Sequence, residues 1–451
     1  MRNIGFSARR EHGRGRGVAA IVGAGLVLAL AACGQADDGD TAAGDGGTSG
    51  EGEAVTIRFA WWGNEDRAAI TNEAVALFET ANPNITVETE YVDFNAYFDR
   101  LATTVAAGDA PDVITMGGAY PREYGDRGAL LDLAEVAEYL DTSTLDAGAL
   151  SNGFFSDTQY GVPTGANTYG VVINPAIFEA AGVDLPDQDS WTWDDFAEIA
   201  AEISANTPDG TYGAADPTSA EVLDLYLNHQ SGHGLYLADG SLNATPELVA
   251  DWFTYSSGLM ESGATPPATI TSELTTQTSP EQSLLGQGLA AMSFGWSNNL
   301  GAFREASGQD LILIRVPGDT GPNGSAMWQQ ASQLYTINAG TEHPEAAAQL
   351  VDFLVNSTDA ADLIGTDRGV PSNETIRAYL SEQGLEPTTQ VEFDFLSQVS
   401  EFIDGDFVIG PTGSTESAGI LTRLNQEVLF GQTSPEDAGV AFVTEVTTAI
   451  S

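Results

Sequence analysis

The stretch from Val55 to Met116 constrains the fold more than any other part of the chain. Val55-Thr-Ile-Arg-Phe-Ala-Trp-Trp62 alternates at first and predicts a strand closed by Gly63-Asn64-Glu65-Asp66. Ile70, Ala74, Leu77, Phe78 and Ala81 then recur at helical spacing. Asn82-Pro83-Asn84 breaks that helix, and Ile85, Val87, Thr89 and Tyr91 alternate as a second strand. Phe94, Tyr97, Phe98, Leu101 and Val105 form another helical stripe, and Pro111-Asp112-Val-Ile-Thr-Met116 is a short buried strand. Strand, helix, strand, helix, strand in one run requires a parallel sheet with helices packed on it. In open sheets of this kind ligands sit beyond the carboxyl ends of the strands. Trp62, Asn64 and Glu65 lie at the first such end, and Gly117, Gly118, Ala119 and Tyr120 at the third.

A second informative stretch is Gln282 to Asn299. An apolar run, Leu289 to Phe294, is too short for a helix and predicts a buried strand. It ends in Gly295-Trp296-Ser297-Asn298-Asn299, an aromatic ring beside a hydroxyl and two amides. A flat apolar face flanked by hydrogen-bonding groups suits a sugar, which has C–H faces and a hydroxyl rim. The other reading of the same residues is a core Trp at a strand end followed by a polar loop.

The first residues belong to export. Met1 to Gly17 carries five Arg and one Glu, and Val18 to Ala32 is wholly apolar, too short for a permanent membrane span. Leu30-Ala31-Ala32-Cys33 resembles the bacterial lipobox, in which the cysteine is lipidated and becomes the mature N-terminus. Cys33 is the only cysteine, so no disulfide is available and the body must be held by its core. Gly34 to Ala54 has no large apolar residue and predicts a flexible acidic tether. Without the five Arg and Glu11 of residues 1–32, ten basic and sixty-four acidic residues remain, a formal charge of −54. Such a surface repels nucleic acid and anionic lipid. No Lys is present, which excludes Walker-A phosphate binding and Schiff-base chemistry. Excess carboxylate without Lys is also the pattern of proteins adapted to high salt.

Several motifs, read in order, resemble the family 1 extracellular solute-binding proteins, the sugar-binding components of ABC importers. They are Phe78-Glu-x-x-Asn-Pro-x-Ile-x-Val87, Ala107-Gly-Asp-Ala-Pro-Asp-Val113, Gly128-Ala-Leu-Leu-Asp-Leu133, Tyr160-Gly-Val-Pro163 with Tyr169 to Asn174, Leu285-x-x-Gly-x-Ala-Ala-Met292 before Trp296, and Asp367-Arg-Gly-Val-Pro371. Leu289 stands where that family commonly has Lys. Gly117 and Gly118 stand where many relatives carry a larger polar residue, so part of the usual polar contact set is missing or moved.

The resemblance spans residues 55–451 and implies an α/β, two-lobed periplasmic-binding-protein-like fold of type II, each lobe a mostly parallel sheet flanked by helices. Residues 55–165 plus 320–370 would form one lobe and 166–319 plus 371–451 the other, with crossings near 165, 320 and 370. Residues 1–32 would be the signal peptide and 33–54 the lipidated cysteine and tether. In the cleft, Trp62, Tyr120, Trp296 and Trp328 would stack on a sugar, while Asn64, Glu65, Asn167 and Asn298 would meet its hydroxyls. Arg368 would either reach the ligand or pair with a carboxylate at the hinge. The implied partners are a mono- to short oligosaccharide, the permease subunits of an ABC transporter, and the membrane through the lipid on Cys33. No cofactor, metal or nucleic acid is implied, and the expected state is a monomer on the outer face of the cell membrane.

Two alternatives stay open at this point. One is a binding protein for another polar solute, such as a polyol, a glycerol phosphodiester or a compatible solute. The other is an anchored carbohydrate-active enzyme, which would need two carboxylates across a cleft. No acidic pair sits in a recognisable motif. Ala291-x-Ser293-x-Gly295 falls one residue short of a nucleophile elbow. His229 and His233 share the i, i+4 spacing of a metal pair but lack HExxH and an evident third ligand, so they are expected as exposed loop residues.

Overall fold

The computed structural model describes residues 54–451 apart from 118–119, 275–279, 319–323 and 404–407. The leader, Cys33 and the expected tether therefore lie outside the described residues, except for Ala54. The chain opens with β1 (Val55–Trp62), α1 (Glu65–Ala81), β2 (Ile85–Val92), α2 (Phe94–Ala107) and β3 (Val113–Met116), the alternation expected from the sequence. Both β2 and β3 pair with β1 in parallel, so β1 lies between them. With β1 central, α1 and α2 must cover opposite faces. The burial pattern follows: Ile57, Phe59 and Trp61 pack with Ala74, Val75 and Phe78 of α1. Ala60 and Trp62 face the other way, toward Tyr97, Phe98 and Leu101 of α2. The expected stripe on α1 is partly corrected, since Leu77 is 39% exposed while Ala68, Thr71 and Val75 are buried. At about 100° per residue the buried arc centres near Thr71 and Phe78, which turns Leu77 toward solvent.

Next come α3 (Tyr120–Asp126), α4 (Ala147–Ser151), a small hairpin of β4 (Phe154–Phe155) and β5 (Thr158–Gln159), and the long β6 (Gly161–Ile173). Beyond it lie α5 (Pro175–Ala181), α6 (Trp193–Asn206), β7 (Tyr212–Ala214), α7 (Ala220–Ser231), α8 (Pro246–Glu261), α9 (Ala268–Leu274), β8 (Ala290–Trp296), α10 (Leu300–Ser307) and β9 (Ile312–Ile314). The chain returns along β10 (Gln329–Ile337), α11 (Pro344–Asn356), α12 (Thr358–Ile364) and β11 (Val370–Pro371), and ends with α13 (Glu374–Gln383), α14 (Pro387–Val399), α15 (Glu416–Leu429) and α16 (Pro435–Ala449).

Strand β6 belongs to two sheet regions. Its first half, Gly161 to Thr168, pairs antiparallel with β10, which in turn pairs with β3. Its second half, Tyr169 to Ile173, pairs antiparallel with β8 and β9. Parallel pairing occurs on both sides of this shared strand, at β1–β2–β3 and at β7–β8. Pro163 is tolerated inside β6 because it sits where the β6–β10 register shifts, at a bulge. At Gly165, a Cβ would lie 2.3 Å from the Arg368 carbonyl oxygen, so glycine is what lets β11 cross here. Beyond the crossing, Val171 and Ile173 are buried with Phe178, Phe196 and Ile203 from α5 and α6. A larger cluster around Trp252, Phe253, Leu421 and Phe442 joins α8, α15 and α16. Among the described residues no helix is long and apolar enough to cross a membrane.

Candidate binding site

The shared strand brings three distant segments together. Thr168 donates its backbone N–H to Ser297 Oγ (3.2 Å) and its own hydroxyl to the Trp328 carbonyl (2.9 Å). One buried residue of β6 thereby fixes both the turn after β8 and the approach to β10. In the next register position Trp296 lies opposite Tyr169, and their rings meet edge to face at 4.9 Å and 88°. Burial pushes the Tyr169 hydroxyl up, and it reaches Ser219 Oγ (3.4 Å), the N-cap of α7. Asn167 lies directly opposite Gln330, which puts both amides on one face of the sheet. Asn167 is 6% exposed, and its Oδ1 has no hydrogen-bond partner among the described residues.

Next to these residues is a cavity of about 230 Å³, lined by Trp328, Gln330, Glu221, Asp224, Tyr236 and Ser414 among others. It combines two aromatic walls with an amide, two carboxylates and a hydroxyl. Asp224 accepts from the Leu235 backbone N–H at 2.6 Å, and burial pushes its carboxyl up to about 6. Burial also raises the Tyr236 phenol, whose hydroxyl reaches the Ser414 carbonyl.

Trp62 and Tyr120 meet elsewhere, around Phe98 at the carboxyl ends of β1 and β3. Trp62 lies 5.5 Å from the Phe98 ring, and Tyr120 stacks on it at 3.7 Å and 8°. Gly117 makes room for this group, because a Cβ there would come 3.0 Å from the Trp62 ring. The departure from the family pattern at this position thus has a steric reason. The cluster also takes in Tyr160 and Ala331, the latter next to Gln330 on β10.

The remaining expected residues have structural partners or stand exposed. Asn64 is the N-cap of α1, accepting from the Arg67 backbone N–H at 2.9 Å, and Glu65 follows it as an exposed first-turn acid. Asn298 is exposed in a single 3₁₀ turn. Arg368 is 3% exposed, pairs with the Asp367 carboxylate and donates to Thr71 Oγ1 at 2.6 Å. Asp367 in turn accepts from Arg67 Nε at 2.9 Å. Of the two roles left open for Arg368, this geometry provides the carboxylate pair.

His229 corrects an expectation, for it is buried on α7. The Trp193 indole N–H donates to its Nδ1 (3.3 Å), and its Nε2 meets the Ser325 carbonyl (2.8 Å). Trp193 of α6 and the backbone at Gly318 and Ser325 close around it, which the polar Ser231-Gly232 beside it does not signal. His233 is exposed, as expected. Among the described residues, no group of three or more His, Cys, Asp or Glu is arranged to hold a metal. Gln330, Tyr169, Glu221 and Asp224 were missed by reading the sequence. The only hint was polarity, Gln329-Gln330-Ala-Ser-Gln333 in a segment that turns out to be strand.

Comparison with known proteins matches residues 62–361 to the model of a family described as bacterial extracellular solute-binding protein. The chain belongs to that family. A solved family 1 extracellular solute-binding protein from Alicyclobacillus acidocaldarius superposes with a TM-score of 0.75 at 28% identity, covering 89% of this chain and 100% of that one. The diacetylchitobiose binding protein DasA of Streptomyces coelicolor is 24% identical over 381 residues, 80% of this chain and 83% of the relative. An uncharacterized lipoprotein in the oleD 5' region of Streptomyces antibioticus is 26% identical over 330 residues, 70% of each. The solute-binding fold, with its two sheet regions joined by crossing strands, is therefore established for this chain, and its relatives include sugar-binding proteins.

Proposed function

We propose that this solute-binding protein captures a neutral sugar, from a monosaccharide to a short oligosaccharide, and delivers it to the permease of an ABC importer. The observation that carries the reading is the cavity beside β6, where Trp328 and Tyr236 stand with Gln330, Glu221, Asp224 and Ser414. Aromatic faces pack against the C–H faces of a sugar ring, and acids and amides take its hydroxyls. Asn167 lies on the same strand and Trp296 pairs opposite Tyr169 of it, and Trp62 with Tyr120 would close on the ligand from the first sheet. The diacetylchitobiose-binding relative supports the same class. Strongly anionic ligands are disfavoured by the two cavity carboxylates and by a body with few cations.

Closure would follow from differential affinity. A ligand touching both lobes stabilises the conformation in which they meet, and the crossings near residues 165, 320 and 370 would act as the hinge. We draw the lobes as 55–165 plus 320–370 and 166–319 plus 371–451, with α13 moving with the first. The support for that last assignment is the packing of α13 on α12 and the two-pronged pair of Arg377 with Asp146. Cys33 would carry the lipid that keeps the protein at the outer face of the membrane, and the lipoprotein relative agrees with this.

The test is a thermal-shift screen of the chain with mono-, di- and trisaccharides, polyols and zwitterionic solutes, followed by calorimetry and chromatography of the hits. A saturating ligand adds RT ln(1 + [L]/Kd) to native stability. A rise in Tm with saccharides and no new product is expected. A shift confined to non-sugar solutes would overturn the substrate class, and hydrolysis would overturn the binding role.

A further inference from the structure

The cavity beside Trp328 shares two lining residues, Val408 and Ile409, with a larger cavity of about 560 Å³. The far wall of this second cavity is the β4–β5 hairpin, with Phe154 and Phe155, and Arg122 and Asp239 also line it. Phe155 turns inward and stacks on Tyr160 at 4.8 Å. Phe154, its neighbour on the strand, points to the opposite side and is 51% exposed, a large aromatic face open to solvent over about half its surface. The hairpin that presents it is fixed in place. Its two turn residues, Ser156 and Asp157, adopt φ of 51° and 59°, a left-handed geometry that hairpins usually assign to Asn and Gly. Ser156 Oγ donates to Asp126 Oδ1 at 2.7 Å, and the other oxygen of Asp126 takes Arg122 Nε at 3.4 Å. Arg122 then donates to the carbonyls of Ile409 (3.0 Å) and Ala238 (3.4 Å), on the opposite wall. Aromatic platform, opposing wall and polar rim are thus held at a defined separation.

We propose that the Phe154 cavity is an extension subsite continuous with the Trp328 cavity, so that the preferred ligand is a neutral oligosaccharide rather than a single sugar. This rests on the sugar-binding reading given above. The size of the two spaces favours it: ligand pockets run from about 300 to 1,000 Å³, and the Trp328 cavity alone falls below that range. One ring would sit against Trp328 and the following units would run past Val408 and Ile409 onto Phe154. Charge argues for neutral units, because the lone Arg122 guanidinium is matched by Asp126 and faced by Asp157 and Asp239.

The experiment is calorimetry with one- to four-unit series of α-1,4-glucose, β-1,4-glucose and β-1,4-N-acetylglucosamine, on the unaltered chain and on Phe154→Ala and Phe154→Trp. In the binding series, affinity is expected to rise about tenfold or more from one unit to three. Phe154→Ala should remove most of that rise while leaving single-unit affinity within about twofold, and Phe154→Trp should keep it. Because Phe154 is exposed, its replacement leaves the core intact. Equal affinity for one and three units, or a length dependence unchanged in Phe154→Ala, would overturn the extension while leaving the sugar reading standing. Failure of every series to bind would overturn the sugar reading and the extension together.

Discussion

Replacing Trp296 with Ala separates a ligand platform from a core residue, because the structure gives the two roles different consequences. The Trp296 ring is half-buried and meets Tyr169 edge to face at 4.9 Å. Loss of such a pair costs about 0.5–1.5 kcal/mol of folding stability beyond the area it buries. A domain with a typical reserve of about 5–15 kcal/mol would still be almost wholly native, so this loss by itself leaves Kd unchanged. If the exposed part of the ring stacks on the ligand, truncation should remove about 1–2 kcal/mol of binding as well, or about 5- to 30-fold in Kd. Calorimetry with the best saccharide from the screen reads the second effect, and urea unfolding reads the first. Trp296→Phe should recover part of both. A Kd within twofold of the unaltered chain, together with a normal unfolding loss, would remove Trp296 from the site and leave it a packing partner of Tyr169. Trp328→Ala is the less clean probe. Its 3% exposure predicts a cavity cost of about 3–5 kcal/mol that would mix with any binding loss.

Three further outcomes are expected. Asn64→Ala should lower unfolding free energy by about 1 kcal/mol through loss of the α1 cap, with calorimetric Kd unchanged; a tenfold weaker Kd would return Asn64 to the ligand. Arg368→Met should cost about 1–3 kcal/mol in urea unfolding, since it strips partners from Asp367 and Thr71 while Arg67 still holds Asp367, and should leave Kd within about twofold. Asp224 titrates near 6 when folded, above its unfolded value of 3.8, so its contribution to stability is full below about pH 4 and is lost as pH rises through 6. Asp224→Asn should therefore gain up to about 3 kcal/mol over the unaltered chain at pH 7, shrinking toward zero near pH 4; a difference constant across that range would refute the assignment.

The parts of the fold that could be read from the chain are those where local pattern and tertiary environment agree. The first five elements alternate by simple periodicity, and β1 shows both faces of its sheet in Phe59 and Trp61 against Ala60 and Trp62. Strand β6 resisted the same reading, because Gly161, Pro163, Gly165 and Gly170 all argue against a thirteen-residue strand. Partners on both edges, β10, β11, β8 and β9, supply the ladder that local preference does not. The polar start of β10, Gln329 to Ala331, is held in the same way, by pairing with Ala166 to Thr168 of β6. For the candidate site, aromatic residues beside strand ends could be singled out in the chain and their polar neighbours could not. Trp296 and Trp328 announce themselves by type, whereas Glu221 and Asp224 are two acids among sixty-five until the fold sets them beside Tyr236.

That contrast bears on how the molecule would work. Thr168 is one residue, yet it bonds to the turn carrying Trp296 and to the segment carrying Trp328, at the point where β6 passes from one sheet region to the other. A rotation of the two regions about β6 would act on both indoles through the same short linkages. Trp296 and Trp328, both tied to Thr168, would keep their mutual geometry as the lobes move, and the outlying groups would not. Trp62 and Tyr120 ride on the first sheet through Phe98, and Phe154 is carried by a hairpin tied to α3. Binding energy gained at the crossing would then be the same in open and closed forms, and only contacts to the outlying aromatics would drive closure. Substitution of Trp62 should accordingly reduce closure, read by small-angle scattering with and without ligand, more than substitution of Trp296 at equal loss of affinity.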